Sequence, residues 1–468
     1  MEPLLSVNIP SDPIWPETLN EYGIRLRNGT ITAVEVTKDY LQRIEQFNPK
    51  LKAFVHVANE SAIEAAREVD NLLRVGTDLG PLMGVPISVK ELFKVEGMPA
   101  GAGSAIDVSE YIGDEGCFIR RLKQAGCIIL GTTRSTEFAF STFNFNQHQP
   151  WNPRDKDIHR ITGGSSQGAA VAQAAGLCAI SIGTDTGGSV RVPASLCGLF
   201  GYLPSHHLFP RDGLFSLLPE SDTIGFLANS AIDAQLMYSV LETKSIDENI
   251  ILNELTFGKP GNHFYDHLEP EVLQRVNVAL ELLKDSGINL VPVEVPDPQD
   301  ELSSFGKLNH DYPKLFKAQL KSMFGENKLN QLLPSMNENT RIGLQQIEDL
   351  SAGELSHLKK QLAKFRDFSQ SLMDNIDGWL VPSLPMTAIP MSEIDTMAKA
   401  MALQVRAGRN MSMINKLRFI AVTIPIPGIE GELPVGLQLI MPNGQDKRLL
   451  ATACSVEKQI VKLSNFDD

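Results

Sequence analysis

Between Gly163 and Pro204 the chain reads GGSSQGAAVAQAAGLCAISIGTDTGGSVRVPASLCGLFGYLP, a block built largely from Gly, Ala and Ser. Side chains this small let helix and sheet backbones approach closely, and they suit a place where backbone itself must reach a ligand. Inside the block the apolar run CAISI gives way to GTDTGGS, with two glycines directly before Ser189. A glycine pair gives up chain stability, so the loop calls for bare backbone beside that serine. The amides of Thr186, Gly187, Gly188 and Ser189 can form a concave nest for an oxyanion, because glycine permits the positive φ angles a nest needs.

A serine hydroxyl is a weak nucleophile until a neighbouring base takes its proton. None of the nine histidines sits in a comparable glycine-rich or strand-end setting, so a Ser-His-Asp arrangement lacks its middle member; His206 and His207 follow the loop and read as surface residues. A lysine can serve instead if burial brings its pKa from about 10.4 toward roughly 7 to 8. Lys90 is placed for this at the end of the apolar strand pattern GVPISVKELF, residues 84–93, although a salt-bridged lysine at a strand end would look the same. Gly164, Ser166 and Gly168 also satisfy the GxSxG elbow of α/β-hydrolases, but the preceding HRIT is no buried strand and no HGGG-type loop lies upstream.

Along the rest of the chain, Thr32–Asn48 has helical period and a Thr32/Glu35 capping box. FIRRLKQAGCIILGTT reads as helix, turn and strand, residues 269–295 as helix then strand, and residues 300 to about 375 as mostly helical and polar. GWLVPSLP, two strands around a Gly-rich turn in IAVTIPIPGIEGELPVGLQLI, and a closing helix QDKRLLATACSVEKQI follow. This alternation predicts an α/β fold with a mixed, largely parallel sheet covered by helices. With 468 residues and 43% hydrophobic content, the core is large enough for one big domain or two or three ordinary ones.

Charge and cysteine usage exclude several classes. Lys plus Arg number 42 against 56 Asp plus Glu, a net charge of −14, which argues against a sequence-blind grip on nucleic acid or an anionic membrane and favours a small-molecule partner. The weakly polar run at 168–183 is too short and too rich in Ala and Gly for a membrane span. Five scattered cysteines lack CxxC spacing, so reduced thiols are expected and a zinc cluster is not. The first residues, MEPLLSVNIPSDPIWPE, carry acids and prolines where a secretory signal has basic and apolar runs. A cytoplasmic protein is the expectation.

Three segments taken together, GVPISVKELFKVEGMPAGAGS, then ITGGSSQGAAVAQAAGLCAISIGTDTGGSVRVPASLCGLFGYLPS, then ELPVGLQLI, resemble the amidase signature family in content, order and spacing, from about Leu19 onward. The resemblance implies one amidase signature domain over 1–468, with a helical insertion at about 300–375. It implies a Ser-cisSer-Lys triad: Ser189 as nucleophile, Ser165, after a cis peptide bond, as proton relay, and Lys90 as base. Ser166 matches the position that supports the lysine, and Asp185 and Arg191 match positions that hold the loop. The implied activity is cleavage of a small-molecule amide, with no metal or cofactor and with a homodimer allowed for. Gln167 and Glu91 replace the family's usual glycine and aspartate without removing a triad member. The segment STFNFNQHQPWNP is the larger departure and is expected to border the acyl pocket, with Phe143 and Phe145 favouring aryl or apolar groups unless they merely pack the core. The A-type subunits of tRNA-dependent amidotransferases look similar across the same motifs, but YLPSHHLFPRDGLF departs from their usual KPTYGRVSRYG. A scaffold that kept the fold without turnover is the third reading.

Overall fold

A computed structural model of the chain describes residues 9, 11–143, 149–244, 246, 250–298, 300, 303–428 and 431–465. Eleven strands form one sheet: β1 (Phe54–Val57), β2 (Pro86–Lys90), β3 (Ile128–Thr133), β4 (Ile180–Asp185), β5 (Phe200–Leu203), β6 (Thr223–Ala228), β7 (Thr256–Pro260), β8 (Asn289–Val293), β9 (Gly378–Pro382), β10 (Ile420–Ile426) and β11 (Val435–Met441). Their spatial order is β1-β3-β2-β4-β6-β5-β10-β11-β9-β7-β8.

The α/β class and the mixed sheet with flanking helices are as expected. Parallel pairing is concentrated in two places: β2 with β3 and β4, and β7 with β8 and β9. The remaining described pairings are antiparallel. A parallel pair needs a crossover, and helices Cys117–Gln124 and Pro270–Asp285 supply it between β2 and β3 and between β7 and β8. β10 and β11 are consecutive with no helix between them, so the chain returns antiparallel.

The helix that starts at the Thr32 cap runs over Ala33–Leu51, and Thr32 and Glu35 form the capping box. Between β8 and β9 lie helices Ser304–Asp311, Lys314–Phe324, Glu326–Leu332, Glu338–Gln346 and Ala352–Ser369. Phe305, Leu308, Leu358 and Leu362 from this layer pack with Trp379 and Val381 of β9. No helix among the described residues is long and apolar enough to cross a membrane. All five cysteines are free.

The small-residue block packs as its composition requires. Helices Gln167–Ala174 and Arg191–Cys197 follow one another around β4, and Ala169 and Ala170 share a buried cluster with Val190, Ala194 and Cys197. A Cβ placed on Gly168 would stand 2.3 Å from the Ala53 carbonyl oxygen and 2.5 Å from the Arg134 nitrogen. Glycine is therefore what lets this helix lie against neighbouring backbone.

Candidate active site

Strands β2 and β4 are neighbours, with Val89 paired to Ile182, so the chain brings Lys90 at the end of one strand beside the GTDTGGS loop that leaves the other. Lys90 is fully buried. Its Nζ donates to Ser165 Oγ at 2.7 Å and to Thr184 Oγ1 at 2.8 Å. Removal from water disfavours the charged form and pulls this ammonium down to about 7, against the opposing pull of Asp222, Asp185 and Glu91. Near neutrality a large share of Lys90 is thus an uncharged amine.

The Gly164–Ser165 peptide is cis. Ser165 is also fully buried, while Ser189 is 8% exposed. The Ser166 amide donates to the Ser189 carbonyl at 3.2 Å, which ties the two serine segments together. Lys90 and Ser165 are joined directly; among the described residues no hydrogen bond joins the Ser165 and Ser189 hydroxyls. Catalytic hydrogen bonds are often loose in substrate-free enzymes and tighten when substrate arrives. Ser166 Oγ donates to the Thr184 carbonyl at 3.2 Å and accepts from the Thr184 amide at 3.3 Å. Its hold on Lys90 therefore runs through Thr184.

One expected anion donor is otherwise engaged. The Gly188 amide donates to Asp185 Oδ1 at 2.7 Å, and Gly188 itself takes a φ of 118°, a conformation that favours glycine. The candidate nest is reduced to the amides of Thr186, Gly187 and Ser189. A Cβ on Gly187 would meet only Ser412 Cβ, at 3.8 Å, so this side of the loop faces open space where a carbonyl can approach.

Behind the loop lies a sealed ion pair. Arg191 Nε and Nη2 each donate to the Asp185 carboxylate at 3.1 Å, with both side chains fully buried. Arg191 also donates to Gln438 and Asn415, each at 2.6 Å, and Asn415 Nδ2 returns to Asp185 Oδ1 at 2.9 Å. Burial pushes the Asp185 carboxyl up, but Arg191, Asn415 and the Gly188 amide outweigh it and hold it below the usual carboxylate range. Gln438 gives the ELPVGLQLI motif a place in the site, since it anchors the arginine that anchors the loop.

Three participants stand outside the roles read from the motifs: Thr184, Asp222 and Asn415. Asp222 accepts from Thr186 Oγ1 and Ser216 Oγ, each at 2.6 Å, and burial pushes its carboxyl up. The one available signal concerns Thr184: a buried amine needs acceptors, and Thr184 is the hydroxyl on the strand next to that of Lys90. His206 is half-buried and His207 exposed, and burial together with Arg418 and Arg211 drives the His206 imidazole down to about 3.

A cavity of about 520 Å³ is lined by Phe140, Ser141, Phe143, Phe316, Met401 and Gln404, among others, and not by the Lys90–Ser165 pair or Ser189. Thr142, between the lining residues Ser141 and Phe143, has a carbonyl that would stand 2.8 Å from a Cβ on Gly164. Phe143 both lines this cavity and packs with Ile161, Leu196 and Met386; Phe145 lies outside the described residues. Among the described residues no three His, Cys, Asp or Glu side chains gather in a metal-binding arrangement.

The family model described as Amidase matches residues 35–450. The 2-amino-5-chloromuconic acid deaminase of Comamonas testosteroni is 32% identical over 452 residues, covering 95% of this chain and 96% of that protein. The A-type subunit of the glutamyl-tRNA(Gln) amidotransferase of Fusobacterium nucleatum is 28% identical over 493 residues, covering 96% of this chain and 98% of its own length. A crystallised amidase superposes with a TM-score of 0.83 at 27% identity, covering 95% of this chain and all of its own. Because the family match begins ahead of Lys90 and runs past Gln438, it takes in every segment that builds the site, and the chain belongs to the amidase signature family.

Proposed function

We propose that the chain hydrolyses a small-molecule amide through an acyl-enzyme on Ser189. The observation that carries this reading is the 2.7 Å contact between Ser165 Oγ and a buried Lys90 whose amine titrates near 7. Ser189 Oγ attacks the amide carbonyl, its proton passes to Ser165, and Ser165 passes one to neutral Lys90. The amides of Thr186, Gly187 and Ser189 receive the oxyanion. The proton then returns through the same relay to the departing nitrogen, and ammonia or an amine leaves. Water repeats the sequence on the ester, releasing a carboxylic acid and restoring Ser189. Asp185 and Arg191 hold the loop in register for both halves. A relative named as a deaminase fits cleavage at a C–N bond, and five free cysteines fit a cytoplasmic setting.

Labelling with a fluorophosphonate probe tests the assignment. Wild type should label, Ser189→Ala should not, and Lys90→Ala should label slower by about 10³ or more, the scale on which such units fail when one member is lost. Equal labelling of wild type and Ser189→Ala would sink it. The amidotransferase reading is favoured by the relative from Fusobacterium nucleatum and opposed by the YLPSHHLFPRDGLF segment. Glutamine-dependent turnover that appears only with a copurifying partner chain would make it the better account.

A further inference from the structure

The molecule holds a second buried lysine beside the same loop, and the proposed reaction gives it no task. Lys416 is 4% exposed. Its Nζ donates to Asn309 Oδ1 and, at 3.2 Å, to Ser412 Oγ, and it stands 4.7 Å from the centre of the Tyr312 ring. An ammonium has three donors; two meet neutral oxygens and the third meets no acceptor among the described residues. No carboxylate pairs with it there either. The acids that act on Tyr312 are engaged elsewhere: Glu220 with Lys359, and Asp222 with Thr186, Ser216 and the Leu218 amide. Arg366 adds further positive charge, since its Nε donates to the Lys416 carbonyl at 3.1 Å. A buried cation without an anion is costly, and proteins pair such groups or let them lose the proton. Burial alone pulls Lys416 down to about 7, with no acid opposing it.

Its position says what would pair with it. Ser412, which holds Lys416, is the neighbour that a Cβ on Gly187 would meet at 3.8 Å. The step from cation to serine to oxyanion turn is short. Ser412 thus bridges the lysine and the loop that carries Ser189. Asn309 and Tyr312, which flank the ammonium, are followed in the chain by His310 and Pro313, which line the cavity of about 520 Å³.

We infer that Lys416 binds a carboxylate of the substrate and makes the chain selective for amides that carry an acid group a few bonds from the scissile carbonyl. The inference rests on the amide-hydrolase reading and is separable from it by experiment. Ammonia release is measured from malonamate, succinamate and glutaramate against neutral straight-chain amides of matching length, with wild type, Lys416→Met and Lys416→Arg. At least one acid amide should exceed its neutral partner in kcat/KM by about tenfold or more, and Lys416→Met should erase that gap through KM while neutral amides are unaffected. Lys416→Arg, which keeps the charge, should retain part of the preference and guards against a folding defect in the Met variant. No preference in wild type, or an equal loss on acid and neutral amides in Lys416→Met, overturns the inference. Calorimetric binding of succinate provides the second readout. Affinity that drops about tenfold in Lys416→Met supports the lysine's role even if no amide is turned over, an outcome that would remove the hydrolase reading alone.

Discussion

Water is withheld from some side chains here and not from others, and that difference sets the chemistry. Lys90, the base in the proposed reaction, owes its fitness for that role to burial, which lowers its pKa to about 7. The base form must be the neutral amine, so kcat/KM on a neutral amide should rise with pH up to about 7 and level off above it, falling about tenfold per unit on the acid side. A profile flat from pH 5 to 9 would exclude Lys90 as the base. The commitment of the Gly188 amide to Asp185 is the corresponding lesson for the anion nest: a GGS loop shows that backbone is exposed to something, but a carboxylate two residues before the pair can claim one of its donors.

Secondary-structure elements meet most tightly where helix Gln167–Ala174 lies against the backbone of Ala53 and Arg134. Gly168→Ala should push that helix outward and cost about 1–3 kcal/mol, the usual penalty of overpacking, read as a lower urea midpoint at unchanged slope; an unchanged midpoint would show that the helix can shift freely. Elements with local signals were legible in the sequence. The Thr32/Glu35 box, the strand ending on Lys90, and the helix–strand pairs at Cys117–Thr133 and Pro270–Val293 each follow from residues a few positions apart. The antiparallel middle of the sheet was not, because β5 and β6 are short, wholly buried runs whose periodicity carries no direction. The site divides in the same way. Lys90, Ser165 and Ser189 stand in motifs, whereas Thr184 meets Lys90 across 94 positions and Asn415 meets Asp185 across 230. Partners at that distance are chosen by the fold and leave no local mark.

For the molecule as a whole, the two buried lysines tie stability to alkalinity. Each titrates near 7 when folded against 10.5 when free. Between those values the unfolded chain binds more protons than the folded one, so stability rises with pH, by up to about 1.4 kcal/mol per unit per lysine. Below about 7 both states are protonated and the full penalty of the buried charge remains. The melting temperature of wild type minus that of Lys90→Met should accordingly increase from pH 7 to 9. A difference that stays level or shrinks would mean that Lys90 keeps its charge inside the fold. The same burial also restricts access. Of the three side chains assigned to the reaction, only Ser189 has any surface, so in the proposed reaction the leaving amine and the incoming water meet the acyl group from the same exposed side. Under that proposal an added amine reaching the acyl group from that side competes with water and accepts the acyl group in its place.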